Sequence, residues 1–227
     1  MVSLLGIFIC LARPFHPDNT RLFGRIFSWG GAAILGIKIR VKNYDSLRNV
    51  GPCVYVANHQ DNLDLFVCGR VVPQRTVTLG KKSLRWLPFF GQLYWLAGNI
   101  LIDRKNKSRS HMTISSSTRA LTEKNTSIWV FAEGTRNRGR NLLPFKKGAF
   151  KMAIDAGVPV IPICVSSYAR HMDLHRLRSS LAEIRILPPI LTDRLTDEDI
   201  PRILQQCWDK MKATIDAMDH KIYERWP

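Results

Sequence analysis

The sequence contains no GxSxG turn, no GxxxxGK[ST] loop and no GxGxxG fingerprint, which removes the commonest serine-hydrolase, NTPase and dinucleotide-binding readings. Its five cysteines (10, 53, 68, 164 and 207) are an odd number, lie far apart and form no CxxC. That suggests neither a disulfide framework nor a zinc site and leaves reduced, mostly buried packing residues as the expectation. HMDLH (His171–His175) has two histidines four apart but lacks the HExxH glutamate and an evident third ligand, so no metal is expected. Acidic residues are few, 18 against 34 Lys and Arg, for a formal charge of +16. Anionic partners are therefore favoured, whether nucleic acid, an acidic membrane surface or a phosphorylated substrate.

Long hydrophobic runs are also missing. Met1–Ala12 (MVSLLGIFICLA) and Ile26–Ile37 (IFSWGGAAILGI) are apolar for only 12 residues each, short of the roughly 20 needed to span a bilayer. No basic segment precedes the first run and no small-x-small site follows it, which argues against a secretory signal. Two readings stand. The runs are helices lying in or dipping into one leaflet with Trp29 and the flanking Arg and Lys at headgroup level, or one is a buried core helix and the start of the chain is poorly ordered. The first divides the chain into a membrane-associating helical segment, 1–40, and a folded domain, 41–227.

With 227 residues, 45% of them hydrophobic, the chain can bury one sizeable core. IKIRV (37–41), CVYVAN (53–58), TVTLG (76–80), SIWVFA (127–132), VIPICV (160–165) and EIRIL (183–187) read as strands, most of them apolar throughout and hence buried. Ser108–Lys124, Phe145–Ala156 and Asp197–Tyr223 read as helices. The alternation predicts a single α/β domain with a central, mixed, mostly buried sheet flanked by helices. Pro159 and Pro162 place VIPICV at a sheet edge or in an irregular strand.

Four segments could carry chemistry, three of them with polar residues where buried strands end. NHQDNLD (Asn58–Asp64) sets His59 and Asp64 five apart, and across a strand-to-helix turn the carboxylate can fold back on the imidazole, as a general base requires. GNILIDR ends in Asp103 and Arg104, and SIWVFAEGTR delivers Glu133, Gly134, Thr135 and Arg136. Two guanidiniums at strand ends suit one anion clamp, with Thr135 adding a donor and Gly134 permitting close approach. Glu133 is expected to orient Arg136 or to bond substrate hydroxyls. Val158, Val160 and Ile161 of GVPVIPI are candidates to line an acyl channel, with core packing as the plainer alternative. Each segment alone also fits a structural role: a capping histidine or a solvated salt-bridge cluster. The basic clusters RKNKSR and RNRGR lack interleaved aromatics, so a membrane or substrate role is preferred over nucleic acid.

In this order the four segments resemble the glycerolipid acyltransferase family, in its bacterial lysophosphatidic acid branch. His59 and Asp64 match NHxxxxD; Gly98, Ile100, Asp103 and Arg104 match GxIxxDR; Phe131, Glu133, Gly134, Thr135 and Arg136 match FPEGTR, with Ala132 in place of its proline; Val158–Ile163 match VPVIPV. GKKSL (80–84) and LPFKKGAF (143–150) are similar too. The resemblance implies transfer of an acyl chain to the sn-2 hydroxyl of lysophosphatidic acid in phospholipid synthesis, with acyl-CoA or acyl-carrier protein as co-substrate, no cofactor and no acyl-enzyme. It implies His59 as base, Asp64 as its support, and Arg136, Thr135, Gly134, Glu133 and Arg104 around the acceptor phosphate. Lys81, Lys82, Lys146 and Lys147 are candidate contacts to acceptor or donor phosphates. Its expected place is the cytoplasmic face of the inner membrane, on an anionic surface. A sixteen-carbon chain would cost about 12 kcal/mol to pull fully into water, at about 0.8 per CH₂. The alternatives are the same chemistry on glycerol phosphate or another lysophospholipid, and a non-catalytic basic protein that binds membrane or nucleic acid.

Overall fold

The computed structural model describes residues 2–47, 50–103, 117–119 and 121–223. Two apolar helices, α1 (Val2–Ala12) and α2 (Asn19–Ile34), precede β1 (Ile37–Lys42). Then follow β2 (Val54–Ala57), α3 (Asp64–Cys68), β3 (Thr76–Lys81), α4 (Phe90–Leu96), β4 (Ile100–Ile102) and β5 (Ser127–Phe131). The chain continues through α5 (Gly148–Ala156), β6 (Val160–Val165), β7 (Ser180–Ile186) and α6 (Ile200–Tyr223). All six expected strands form. The second apolar run is divided between the end of α2 and the start of β1. The helix expected over Ser108–Lys124 falls largely outside the described residues.

The strands make one mixed sheet in the order β1-β7-β6-β2-β5-β3-β4. Every neighbouring pair is parallel except β6 with β7. Its centre is buried on both faces because its strands are apolar at every position rather than at alternate ones. On β2, Val54 and Val56 join one core with α5 and α6, while Tyr55 and Ala57 join the other with α3 and β7. All five cysteines are free and buried, as packing residues should be.

The strand with two prolines is not at an edge: β6 lies between β7 and β2, so that half of the expectation is corrected. Pro159 precedes the strand. Pro162 lacks its N–H where β6 passes from a bridge between Val160 and Ile190 to the β7 ladder, which starts with Ile163 opposite Ile186. The Leu187 amide still donates to the Pro162 carbonyl at 3.0 Å. A proline is tolerated inside the sheet because the ladder is already interrupted on that side.

The first two helices pack on the domain beside the strand ends. Where α2 crosses α3, a side chain at Gly69 would start 2.3 Å from the Gly24 carbonyl oxygen, so only glycine allows this approach. Leu93 and Ala97 close a small cluster with Cys10 and Phe23. No helix among the described residues is long and apolar enough to cross a membrane. α1 nonetheless leaves Leu4, Leu5, Phe8 and Leu11 exposed, and Trp29, Ile34, Trp86, Phe89 and Trp95 are exposed on α2 and the α4 region.

Candidate active site

Strands β2, β3, β4, β5 and β6 all run in one direction, so their carboxyl ends share one edge, where side chains leave a rigid core for a cleft. The Asn58–Asp64 segment leaves β2 at that edge. Asn58 anchors it by a two-way bond to Val165 at the end of β6, its amide nitrogen donating to the carbonyl at 2.9 Å and its oxygen accepting the backbone amide at 2.8 Å. Gln60 repeats the attachment, donating to the Ser166 carbonyl at 2.7 Å.

Asp64 opens α3 and turns back on this segment. Its Oδ2 lies 2.5 Å from His59 Nδ1 and accepts the Gln60 amide at 2.7 Å and the Asp61 amide at 3.1 Å. A carboxylate 2% exposed and aimed at Nδ1 fixes that nitrogen as the protonated one and directs the lone pair to Nε2. The imidazole itself is 19% exposed and stacks on Phe131 at 4.1 Å between centroids. The folding-back expected from the spacing of five is present.

Glu133 has a different place from the one expected. It is 1% exposed and does not line the cleft. Its Oε1 accepts the backbone amide of His59 at 2.6 Å and its Oε2 that of Leu143 at 2.9 Å. Burial pushes its carboxyl up, and the amides of His59 and Leu143 and the Asn137 side chain oppose that. Two residues just after Glu133 bind the two segments together, Asn137 donating from its backbone amide to the His59 carbonyl at 2.8 Å and Arg138 to that of Gln60 at 3.0 Å. The expectation of a substrate or Arg136 partner is corrected: Glu133 holds the His59 backbone. Gly134 turns the chain there with φ of 69°, and a side chain on it would meet Lys146.

A cavity of about 900 Å³ opens beside His59. Lys81, Thr135, Arg136 and Arg138 supply its basic and polar wall, while Phe23 and Phe27 of α2, Phe66 of α3, and Phe90 and Leu93 of α4 supply an apolar one. Toward the start of β3, polar groups in this wall satisfy one another: Asn99 Oδ1 accepts from the Thr20 and Thr78 hydroxyls, each at 2.9 Å, and from the Thr78 amide at 2.7 Å. The space therefore combines a cationic mouth with an apolar interior, a form suited to an amphiphile with an anionic head.

Of the expected site residues, His59, Asp64, Gly134, Thr135, Arg136 and Lys81 come together around this cavity. Arg104 lies outside the described residues. Lys82 is paired with Asp103 at 3.5 Å; Lys146 and Lys147 are exposed and do not line the cavity, although the Lys146 side chain lies beside Gly134, which does. Val158, Val160 and Ile161 do not line it either; Val160 and Ile161 are in the sealed core, and Val158 packs beneath α5 and α6. The acyl-channel reading is corrected for all three: Val160 and Ile161 because β6 is central and both its faces are covered, and Val158, which precedes the strand, because it packs against the core cluster beside α5. Sequence reasoning missed Arg138, visible only as part of a basic cluster, and the aromatic wall, whose members come from helices far apart in the chain.

The family model described as Acyltransferase matches residues 38–166. The chain is 41% identical over 225 residues, 99% of its length, to the 1-acyl-sn-glycerol-3-phosphate acyltransferase of Salmonella typhimurium, of which it covers 91%. It is 35% identical over 207 residues, 89% of its length, to the human 1-acyl-sn-glycerol-3-phosphate acyltransferase alpha, of which it covers 72%. Its fold is similar to the crystal structure of the 1-acyl-sn-glycerophosphate (LPA) acyltransferase from Thermotoga maritima, with a TM-score of 0.69, 21% identity, and 93% of this chain and 81% of that one covered.

Proposed function

Since this chain belongs to the acyltransferase family, we propose that it transfers an acyl chain from a thioester donor, acyl-CoA or acyl-carrier protein, to the sn-2 hydroxyl of lysophosphatidic acid, giving phosphatidic acid. One observation carries the reading: an Asp64-supported His59 and Arg136 line the same cavity. His59 Nε2 takes the proton of the acceptor hydroxyl as its oxygen attacks the thioester carbonyl. The tetrahedral intermediate then expels the thiolate, which recovers the proton from the imidazolium, so ester and free thiol form without an acyl-enzyme. Asp64 stabilises the transient imidazolium. Arg136, with Thr135 and the backbone at Gly134, grips the phosphate and places the hydroxyl near His59. Relatives named for this acceptor, among them one 41% identical over 99% of the chain, support the choice.

The test is a panel of acceptors (lysophosphatidic acid, glycerol phosphate, lysophosphatidylcholine) crossed with acyl-CoA and acyl-carrier protein, on vesicles. Highest kcat/KM for lysophosphatidic acid is expected; equal or better turnover of another acceptor displaces it. Arg136→Ala is expected to raise KM for the acceptor about 10- to 100-fold, the worth of a charge-assisted bidentate contact. An unchanged KM would remove Arg136 from the clamp.

The exposed apolar residues of α1 and α2, with the exposed Trp86 and Trp95 adjacent in sequence to the cavity-lining Leu87 and Tyr94, are proposed to seat the protein in the cytoplasmic leaflet of the inner membrane, so that substrate enters without crossing water. The excess of cations adds about 1 kcal/mol for each Lys or Arg near anionic lipid. The double variant Leu5→Glu, Phe8→Glu is expected to lower partitioning onto phosphatidylglycerol-containing vesicles about 10²- to 10⁴-fold in a sedimentation assay, at about 1.5–3 kcal/mol for each of the two large apolar side chains withdrawn. Unaltered sedimentation would place the membrane contact elsewhere.

A further inference from the structure

The His59–Asp64 pair uses one carboxylate oxygen. Oδ2 meets the imidazole and two backbone amides, whereas Oδ1 accepts the hydroxyl of Tyr168 at 2.6 Å, from a residue 104 positions away. Tyr168 is 1% exposed in the turn after β6, and its backbone is fixed by the Ser180 hydroxyl donating to its carbonyl at 2.9 Å and by its own amide donating to Ser166 at 2.7 Å. A residue wanted only for packing could be phenylalanine. Burying a phenol oxygen is unfavourable unless it is bonded, and here the partner is the group that orients the imidazole.

Resting on the reading of His59 as the base, we propose that Tyr168 is a positioning residue for acyl transfer, its hydroxyl anchoring Asp64 and drawing part of the carboxylate charge away from His59, so that the basicity of the pair is set from behind. Burial and the nearby Asp64 hold the phenol far above its ordinary range, so it remains a donor at every working pH. Asp61 and Cys68 are the other titratable groups facing Tyr168. The Cys68 thiol is pushed well up by burial and stays neutral. On the imidazole side stand Glu133, bonded to the His59 backbone, and the cavity cations Lys81, Arg136 and Arg138. None of these is altered when only the tyrosine oxygen is removed, so a change in titration is assignable to that bond.

Tyr168→Phe should make the carboxylate a stronger partner for the imidazolium, so the pair holds its proton to higher pH. The acid limb of the kcat/KM profile, followed across about pH 5 to 8, is expected to move up by about half to one pH unit, the equivalent of one lost hydrogen bond. KM for lysophosphatidic acid should stay as in the wild type. In an Asp64→Asn background the same substitution should produce no further shift. A limb that stays in place while the whole profile drops overturns the proposal and leaves Tyr168 a packing residue. His59→Ala, assayed alongside, separates the two failures. If it is inactive while the Tyr168→Phe limb is unmoved, the positioning role alone falls; if it turns over normally, the base reading falls and takes the positioning role with it.

Discussion

His59→Ala is expected to lower acyl transfer by about 10² to 10⁴, the range that a well-placed general base contributes, while vesicle binding and the folded state persist. The expectation follows from how the ring is held. It lies on Phe131 and faces the cavity rather than closing the core, so its removal enlarges an existing space and leaves no sealed void. Asp64 retains the Gln60 and Asp61 amides and the Tyr168 hydroxyl, so it is not left as an unpaired buried charge. The arginine side chains and the apolar wall are untouched, so acceptor KM should change far less than kcat. Circular dichroism, vesicle sedimentation and steady-state rates on the one purified variant check all three. Wild-type turnover would remove His59 from the chemistry, whereas joint loss of folding and binding would recast it as a structural residue.

Where the physics is local, the sequence was readable. A buried strand such as VYVA is apolar at every position because both faces are covered, and the polar run after it stands where side chains leave the core, so His59 and Asp64 could be named as a candidate pair from their spacing. The set of motifs along the chain was needed to prefer catalysis over a structural role. The same holds for the turn at Gly134 and the cations after it. What could not be read depends on which strands and helices become neighbours. Pro162 pointed to an edge because the rule assumes an uninterrupted ladder, and only the switch of partner from Ile190 to β7 admits it to the centre. Val160 and Ile161 then became core. Tyr168 has no local signal, since its partner is 104 positions away. The apolar wall combines α2, α3 and α4, and the glycine contact that brings α2 onto α3 joins Gly24 to Gly69.

Glu133 separates the two kinds of evidence most sharply, because its motif suggests a charged group for the substrate and its geometry makes it a clasp. It spans His59 and Leu143, each through a backbone amide. Glu133→Ala removes both acceptors at once at a side chain only 1% exposed, and each buried amide left unpaired costs about 1–3 kcal/mol. The sum, about 2–6 kcal/mol, is a large share of the 5–15 kcal/mol that typically holds a domain folded. A fall in Tm on the order of 10 °C is therefore expected for a chain of this length. In the fraction that stays folded, His59 loses the bond that fixes its backbone at the end of β2, so kcat should fall with KM for the acceptor little changed. Glu133→Gln keeps one carbonyl acceptor but presents its NH₂ to the second amide, and should lie between alanine and wild type in both Tm and kcat. A glutamate that bonded the acceptor would behave in the opposite way, raising KM with an unaltered melting curve. Thermal melts and steady-state kinetics on the two variants distinguish these patterns, and a raised KM with wild-type Tm would return Glu133 to the substrate site.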